Sequence, residues 1–478
     1  MRATDYDICI IGGGSAGLVT AAGAAALGAR TVLVEKYRLG GECLYTGCIP
    51  SKALLRSAHF AALIRQADVV GLSAQLASPD LSRVMQHVST VIAEIAPHDS
   101  PERFRALGVE VIEADAHFIN PYLVVAGNRE IRARRYVIAT GSKPLIPAIP
   151  GLDNSGYFTN ETIFSLHEPI SNLAIIGGGP VGVELAQAFA RLGSRVSLFE
   201  MAKHILPVED DDVTDILAAQ LRLDGVELCT GIKVERVAKK TDGVLAITYA
   251  SDDGMQRECQ ASHLLVAAGR RPVLDGLGLD QASVLMREGH LVVDAGLRTS
   301  QSHIYACGDV IGPLRFTHTA EHQAGIVLRN ALLHLRARTS RVIPWCTFTE
   351  PEVARVGISE REARTKRLTH EVYRVPFARV DRAHTDGQTQ GFIKLLTDRR
   401  GRLLGAVIVG AHAGELIHEF ALVMSRRMKA KDISACIHLY PALAQINRFV
   451  VDERMKSRLT PTVRRWLQRI FRLRGARE

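Results

Sequence analysis

The chain has 478 residues, with 59 Lys and Arg against 50 Asp and Glu, giving a net charge of +9. With 47% hydrophobic and 23% charged residues it is globular stock, long enough for about three domains of roughly 150 residues each, which excludes a disordered chain. Its eight cysteines are dispersed, only Cys43 and Cys48 lying close together, which excludes a secreted disulfide scaffold and leaves one special pair.

From Ile8 to Ala29 the chain carries no charge over 22 residues, a length that would suit a membrane span or a signal segment. Gly12-Gly13-Gly14 interrupts it after one short apolar run, so a strand (Ile8–Ile11), a glycine turn and an Ala-rich helix to Leu27 describe it better. A second strand follows over Thr31–Val34 and ends at Glu35, 23 residues after Gly12. The same design returns at Leu173–Ile176, Gly177-Gly178-Gly179-Pro180-Val181-Gly182, a helix, and a strand ending at Glu200, again 23 residues after its first glycine. One GxGxxG is weak; two copies in matched strand–turn–helix context, each with an acid closing the next strand, predict two dinucleotide-binding units. Glycines let a pyrophosphate approach the backbone, the helix N-terminus offers free N–H groups, and the acid can accept ribose hydroxyls. A purely structural glycine turn is the alternative.

Between the two copies comes Gly40-Gly41-Glu42-Cys43-Leu44-Tyr45-Thr46-Gly47-Cys48-Ile49-Pro50-Ser51-Lys52. Two cysteines five positions apart at a helix start can close a small disulfide ring, and a helix over Ser51–Ala62 would lower the pKa of a thiol at its N-terminus. Two buried, unpaired cysteines are the alternative. Further strands ending in glycine turns are expected at Tyr136–Ser142, Leu264–Arg270 and Ile304–Asp309. Beyond about Val342 the pattern changes to strands at Glu371–Val375, Gly391–Leu396 and Gly405–Val409, with helices near Glu415–Met428 and after Pro441. That predicts a separate α+β domain.

GGECLYTGCIPSK resembles the redox-disulfide motif of the class I pyridine nucleotide–disulfide oxidoreductases, a family that includes dihydrolipoamide dehydrogenases, glutathione reductases and mercuric reductases. ATGSKPLIPAIPG, GGGPVGVELAQ, YACGDV and FTEPEVARVG support the resemblance, which covers roughly residues 5–450. It implies an α/β protein with two Rossmann-like units and a C-terminal α+β dimerisation domain. The implied divisions are an FAD unit (1–150 and 271–340), an inserted NAD(P)H unit (151–270), the dimer domain (341–455) and a tail (456–478). By the resemblance, Gly12, Gly14, Gly17 and Glu35 hold the adenosine diphosphate of FAD. Ala116, Thr140, Gly141 and Thr317 line the cofactor and Asp309 reaches its ribitol. Gly177, Gly179, Gly182 and Glu200 hold the nicotinamide cofactor, with Gly269 nearby. The resemblance also makes Cys48 the thiol against the flavin, Cys43 the thiol that meets the substrate, and Lys52 a cation near the flavin paired with Glu184. A structural ion pair is the other reading of Lys52 and Glu184. The acid at Glu200 favours NADH over NADPH, although Lys203 and His204 follow closely.

Disulfide reductases of this family carry a His-Pro pair near the C-terminus with a glutamate four residues after the Pro. Here Tyr440 stands at the histidine position and Gln445 at the glutamate position. A tyrosine is a poor base at neutral pH but a usable donor, so turnover of lipoamide or glutathione by the usual route is disfavoured. His438 reads as a structural histidine. The tyrosine is similar to that of mercuric reductase, yet no cysteine follows Cys436 to form the vicinal pair of that family. The expected activity is therefore electron transfer from NADH through FAD and a Cys43–Cys48 disulfide to an acceptor not fixed by sequence: a thiophilic metal ion, a small disulfide or a quinone. No resident metal site is assigned. The alternatives are a dihydrolipoamide dehydrogenase with an altered acid–base residue, and a membrane-docked redox sensor.

The tail holds nine of the bases and one acid over residues 454–478, which leaves the rest of the chain nearly neutral. That argues against nucleic acid as a partner of the body. Thr460-Pro461 is a helix start, after which Val463, Trp466, Leu467, Ile470 and Leu473 share one face, flanked by Phe471. Arg465, Gln468, Arg469 and Arg472 share the other. A basic amphipathic helix of this kind suits either an anionic membrane surface or packing against its own dimer. The expected location is the cytoplasm, with peripheral contact through residues 460–474 at the inner face of the membrane.

Overall fold

The computed structural model describes residues 4–250 and 254–474. Contacts divide the chain into two units. The first runs to Ile205 and resumes over Asp224–Thr339; the second comprises Leu206–Leu223 and the residues from Ser340 onward. Residues 206–223, inside the 151–270 stretch, thus group with C-terminal residues.

The first unit is built on a five-stranded sheet in the order Ile304–Ala306, Ala133–Ile138, Tyr6–Ile11, Thr31–Glu35, Val109–Glu113. Every pairing in it is parallel. Parallel sheets are covered on both faces, which is why the central strand reads as an unbroken apolar run, with Ile8, Cys9 and Ile10 wholly buried. The crossover helix Ser15–Ala26 is made of small residues because it lies hard against helix Thr317–Ala331. A Cβ on Gly23 would overlap the Leu328 side chain.

A second parallel sheet of four strands runs Val226–Thr230, Arg195–Glu200, Asn172–Ile176, His263–Val266, with helix Pro180–Arg191 as its crossover. The two Rossmann-like folds and their acids therefore stand where the repeated glycine pattern put them.

In the second unit an antiparallel sheet runs Pro344–Thr347, Glu352–Gly357, Leu403–Gly410, Phe392–Thr397, Glu371–Pro376. Ile393, Leu395 and Ile408 from this sheet pack with Ile446, Val450 and Val451 of helix Gln445–Ser457. The helix expected over Glu415–Met428 is instead two segments, Ala413–Leu416 and His418–Ser425. It stops early because Arg427 turns left-handed at φ 55° and Met428 N–H closes back on the Val423 carbonyl at 2.9 Å. The tail helix spans Pro461–Phe471, with the Thr460 hydroxyl accepting from Val463 N–H at 3.3 Å. Arg472 ends it at φ 52°, so Leu473 lies beyond the helix.

Candidate active site

The two glycine turns are near copies in space. Gly13 N–H donates to Glu35 Oε2 at 2.6 Å, and Gly178 N–H donates to Glu200 Oε2 at 2.7 Å. Each acid's second oxygen accepts a backbone N–H two residues on, from Tyr37 at 2.8 Å and Ala202 at 2.7 Å. A Cβ on Gly17 would overlap the Gly12 carbonyl, and one on Gly182 the Gly177 carbonyl, so helix and turn close up only with glycine there. Around Gly14 and Gly179, each the residue before a helix with no side-chain cap, nothing lies within 4 Å of the Cβ position. An open glycine, bare helix-terminal N–H groups and a positioned acid fit the pyrophosphate and ribose of a dinucleotide in both copies.

Cys43 sits on the short helix Gly41–Tyr45, and Cys48 is the first residue of helix Cys48–Arg65. The helix thus begins three residues before the expected Ser51. Pro50 does not delay it, because the N–H groups of a first turn have no intrahelical partner to lose. Thr317, first residue of helix Thr317–Ala331, donates its hydroxyl to Cys43 Sγ at 3.1 Å and lies 3.5 Å from Cys48 Sγ. Both cysteines are free thiols. The hydrogen bond from Cys43, helped by Thr317 and by the charge of Lys52, outweighs burial and lowers the Cys48 thiol to about 6. The same bond to Cys48, with burial, pushes the Cys43 thiol well above the ordinary range. At neutral pH the pair therefore holds one proton, on Cys43, and a thiolate on Cys48.

Replacing Thr317 with Val is expected to raise the Cys48 thiol above about 6 and so reduce its thiolate fraction near neutrality. The pH profile of Cys48 alkylation in reduced protein, read by mass spectrometry, checks this; an unmoved profile would show that the hydroxyl contributes nothing. Because the folded value is depressed, the thiolate's contribution to stability is present above the ordinary thiol range and is lost as pH falls through about 6.

Lys52 Nζ meets Glu184 Oε2 at 2.9 Å, the carboxylate almost fully buried and the ammonium partly exposed. Packing of helix Cys48–Arg65 on helix Pro180–Arg191 sets this pair, and Arg65 ties the far end by donating to the Arg191 carbonyl at 2.7 Å. Asp309 accepts from the Ser142 hydroxyl at 2.9 Å, and the Thr140 hydroxyl is committed to the Val273 carbonyl at 2.6 Å. Ala116 opens the strand Ala116–Asn120, while Gly141 and Gly269 both take left-handed conformations in open space.

Two residues at the site, Arg270 and Asn160, are not found from sequence. Arg270 forms an ion pair with Glu42, the residue before Cys43, and donates to the Ser142 hydroxyl and carbonyl, both at 2.8 Å. Asn160 donates to Glu42 Oε1 at 2.9 Å and to the Thr46 carbonyl at 3.0 Å. Together they clamp the loop between the cysteines. Burial lifts the Glu42 carboxyl to about 7 against the pull of Arg270. Glu42 was visible beside Cys43, but no local pattern points to partners so far along the chain.

In the second unit, Tyr440 is 65% exposed and its hydroxyl donates to Asp381 Oδ2 at 3.0 Å, a bond that raises the phenol above its usual value. The His438 side chain is buried, with Nε2 3.3 Å from Glu419 Oε2, and Asn447 donates to the same oxygen at 3.2 Å. Gln445 begins helix Gln445–Ser457.

Residues 6–324 match the family model described as pyridine nucleotide-disulphide oxidoreductase, and residues 343–448 match its dimerisation domain. A mercuric reductase of Bacillus cereus is 32% identical over 444 residues, covering 92% of this chain and 70% of that protein. A dihydrolipoyl dehydrogenase of Bacillus subtilis is 32% identical over 462 residues, covering 93% and 96%. Among solved structures, the HOCl-induced flavoprotein disulfide reductase RclA from Escherichia coli matches with a TM-score of 0.83 at 29% identity, covering 94% of this chain and 99% of that one. The chain belongs to the class I pyridine nucleotide-disulfide oxidoreductase family, as an FAD-dependent enzyme that uses a pyridine nucleotide and carries the family's dimerisation domain.

Proposed function

We propose that this enzyme draws electron pairs from NADH and delivers them through the Cys43–Cys48 dithiol to a thiophilic metal ion as substrate. The observation that carries the reading is the pair of sulfurs sharing the Thr317 hydroxyl, with Cys48 on the first turn of a helix, where its thiol is lowered to about 6. FAD, when bound, supplies the two-electron relay between nicotinamide and sulfur. Gly12, Gly14, Gly17 and Glu35 hold its adenosine diphosphate, with Ala116, Thr140 and Gly141 alongside and Asp309 at the ribitol. Gly177, Gly179, Gly182, Glu200 and Gly269 hold the nucleotide, and the carboxylate of Glu200 selects a free 2′-hydroxyl, hence NADH. Lys52, backed by Glu184, sets a positive charge beside Cys48.

The acceptor follows from proton demand. A disulfide substrate releases a thiolate that must be protonated, the task of the histidine whose place Tyr440 takes. A metal ion bound by the two sulfurs needs no such proton. The thiol–thiolate pair gives up two electrons and the single proton held on Cys43, the Cys43–Cys48 bond forms, and a divalent ion takes the electrons as a pair or two ions take one each. A structure of RclA, a relative, is a Cu(II) complex. By the family resemblance Tyr440 stands where that histidine would act, a usable donor but a poor base. A displaced-histidine lipoamide dehydrogenase is disfavoured because His438 is already engaged by Glu419. A small disulfide and a quinone are the competing acceptors. We place the enzyme in the cytoplasm; peripheral contact through residues 460–474 is a property of the tail and independent of the flavin chemistry.

The test is an anaerobic titration of the holoenzyme followed by its visible spectrum. Full reduction should take two equivalents of NADH, with long-wavelength thiolate–flavin absorption after the first, and NADPH should be the poorer donor. Bleaching by one equivalent without that absorption would refute a redox-active dithiol. Reduction without sustained turnover on any metal ion, disulfide or quinone would favour the sensor.

A further inference from the structure

The helix Pro461–Phe471 has signals of its own at both ends and yet buries none of its residues. At about 100° per residue its apolar side chains, Val463, Trp466, Leu467, Ile470 and Phe471, fall within an arc of about 140°, and Arg464, Arg465, Gln468 and Arg469 occupy the remainder. The apolar arc is open, with Trp466 66%, Ile470 52% and Phe471 65% exposed. Within its own chain the arc is therefore largely uncovered, with Leu467 half-buried. No acid occurs between Glu453 and Glu478, a stretch that includes all nine bases of the tail.

Any occupant has to satisfy both arcs at once. A nucleic acid would answer the arginines and leave Val463, Leu467 and Ile470 in water, since its stacked bases offer nothing to an aliphatic stripe. A second copy of the helix would cover the apolar arc but bring two strongly positive tails together. The interface of an anionic bilayer meets both demands: acyl chains receive the apolar arc, phosphates receive the arginines, and the indole sits at the boundary. The helix cannot span, because its 11 residues rise about 16 Å against a hydrocarbon core of roughly 30 Å. Among the described residues no helix is long and apolar enough to cross a membrane.

We propose that helix Pro461–Phe471 docks the enzyme flat on an anionic phospholipid surface, apolar arc inward. This rests on the peripheral-contact reading of the tail and not on the identity of the electron acceptor. A dimer carries two such helices, so attachment is bivalent and tighter than one helix alone would give.

The experiment is co-sedimentation of the full-length holoenzyme with vesicles of phosphatidylcholine and with vesicles in which a third of the lipid is phosphatidylglycerol. The acidic vesicles should bind at least ~10-fold more tightly, and added salt should erode the difference. The emission of Trp466 should shift to the blue on binding, a shift that Trp466→Phe abolishes although Trp345 remains. Leu467→Asp with Ile470→Asp should lose binding to both vesicles while NADH–ferricyanide turnover stays at the wild-type level. Should those changes unfold the helix, Arg464→Gln with Arg465→Gln and Arg469→Gln keeps the apolar arc and should lose only the preference for acidic lipid. Equal binding to both vesicles, or none, overturns the proposal. So does an acidic protein or a duplex nucleic acid that competes the enzyme off the vesicles through the apolar arc. Vesicle binding by an enzyme that fails the NADH titration would sink the proposed function and leave this inference standing; normal turnover with no vesicle binding would do the reverse.

Discussion

Replacing Cys43 or Cys48 with alanine is expected to cut reduction of a thiophilic metal ion by at least ~1000-fold, while NADH–ferricyanide turnover changes by no more than a few-fold. Ferricyanide takes electrons one at a time without bonding to sulfur, so it reports delivery of electrons upstream of the dithiol. The metal ion needs both sulfurs, one to bind and one to complete the disulfide as electrons leave. The two variants should differ in a second respect. In Cys43→Ala the largest influence lowering the Cys48 thiol is gone, so its value should climb from about 6 towards the ordinary range, held down only by Thr317 and Lys52. In Cys48→Ala the hydrogen bond that raised Cys43 is lost, and its thiol should fall. Stopped-flow reduction with the metal ion, together with the alkylation profile of the remaining cysteine, measures both. A variant that still reduces the ion at a tenth of the wild-type rate would show that electrons leave by another route, and would move attention to quinones.

What the sequence made legible is what repeats or sits close along the chain. The spacing from Gly12 to Glu35 and from Gly177 to Glu200 worked because the chemistry is local: each acid reaches back only to the turn of its own unit, at 2.6 and 2.7 Å. The cysteine pair was legible for the same reason. The start of its helix was misplaced because proline looks like a boundary, when in a first turn it is harmless. Thr317 was expected as a cofactor-lining residue, and its contact with both sulfurs was not expected, because it depends on where the N-terminus of a distant helix falls. Arg270 and Asn160 were missed outright, since neither stands in a pattern that marks it as a partner of Glu42. Tertiary pairing of polar groups leaves no periodicity, and that is the information a single sequence withholds.

The same blindness hides the second unit's buried charge cluster, and Lys394→Met should expose it with a loss of about 3–5 kcal/mol of stability. The Lys394 side chain is only 3% exposed. Its ammonium lies 2.8 Å from Asp210, 2.7 Å from Asp212 and 3.3 Å from Glu360. Asp210 also accepts the N–H groups of Glu360 and Arg361 at 3.1 and 3.0 Å. Burial works against charge on Asp210, but these bonds outweigh it and hold the carboxyl below its usual range. The lysine thereby fastens the start of helix Asp211–Leu223 to the sheet of the dimerisation domain. Methionine fills similar space but leaves three carboxylates crowded together with no cation. The pH dependence then has a definite sign. The depressed Asp210 contributes stability above its unfolded value and loses it as pH falls through the folded one, so acid should weaken the wild type. In the variant the orphaned acids gain by protonation, and the gap between the two proteins should narrow as pH drops into the carboxylate range. Urea midpoints at neutral and acidic pH measure this. A gap under about 1 kcal/mol at neutral pH, or one that does not change with pH, would mean that the cluster is solvated and that apolar packing alone holds the helix in place.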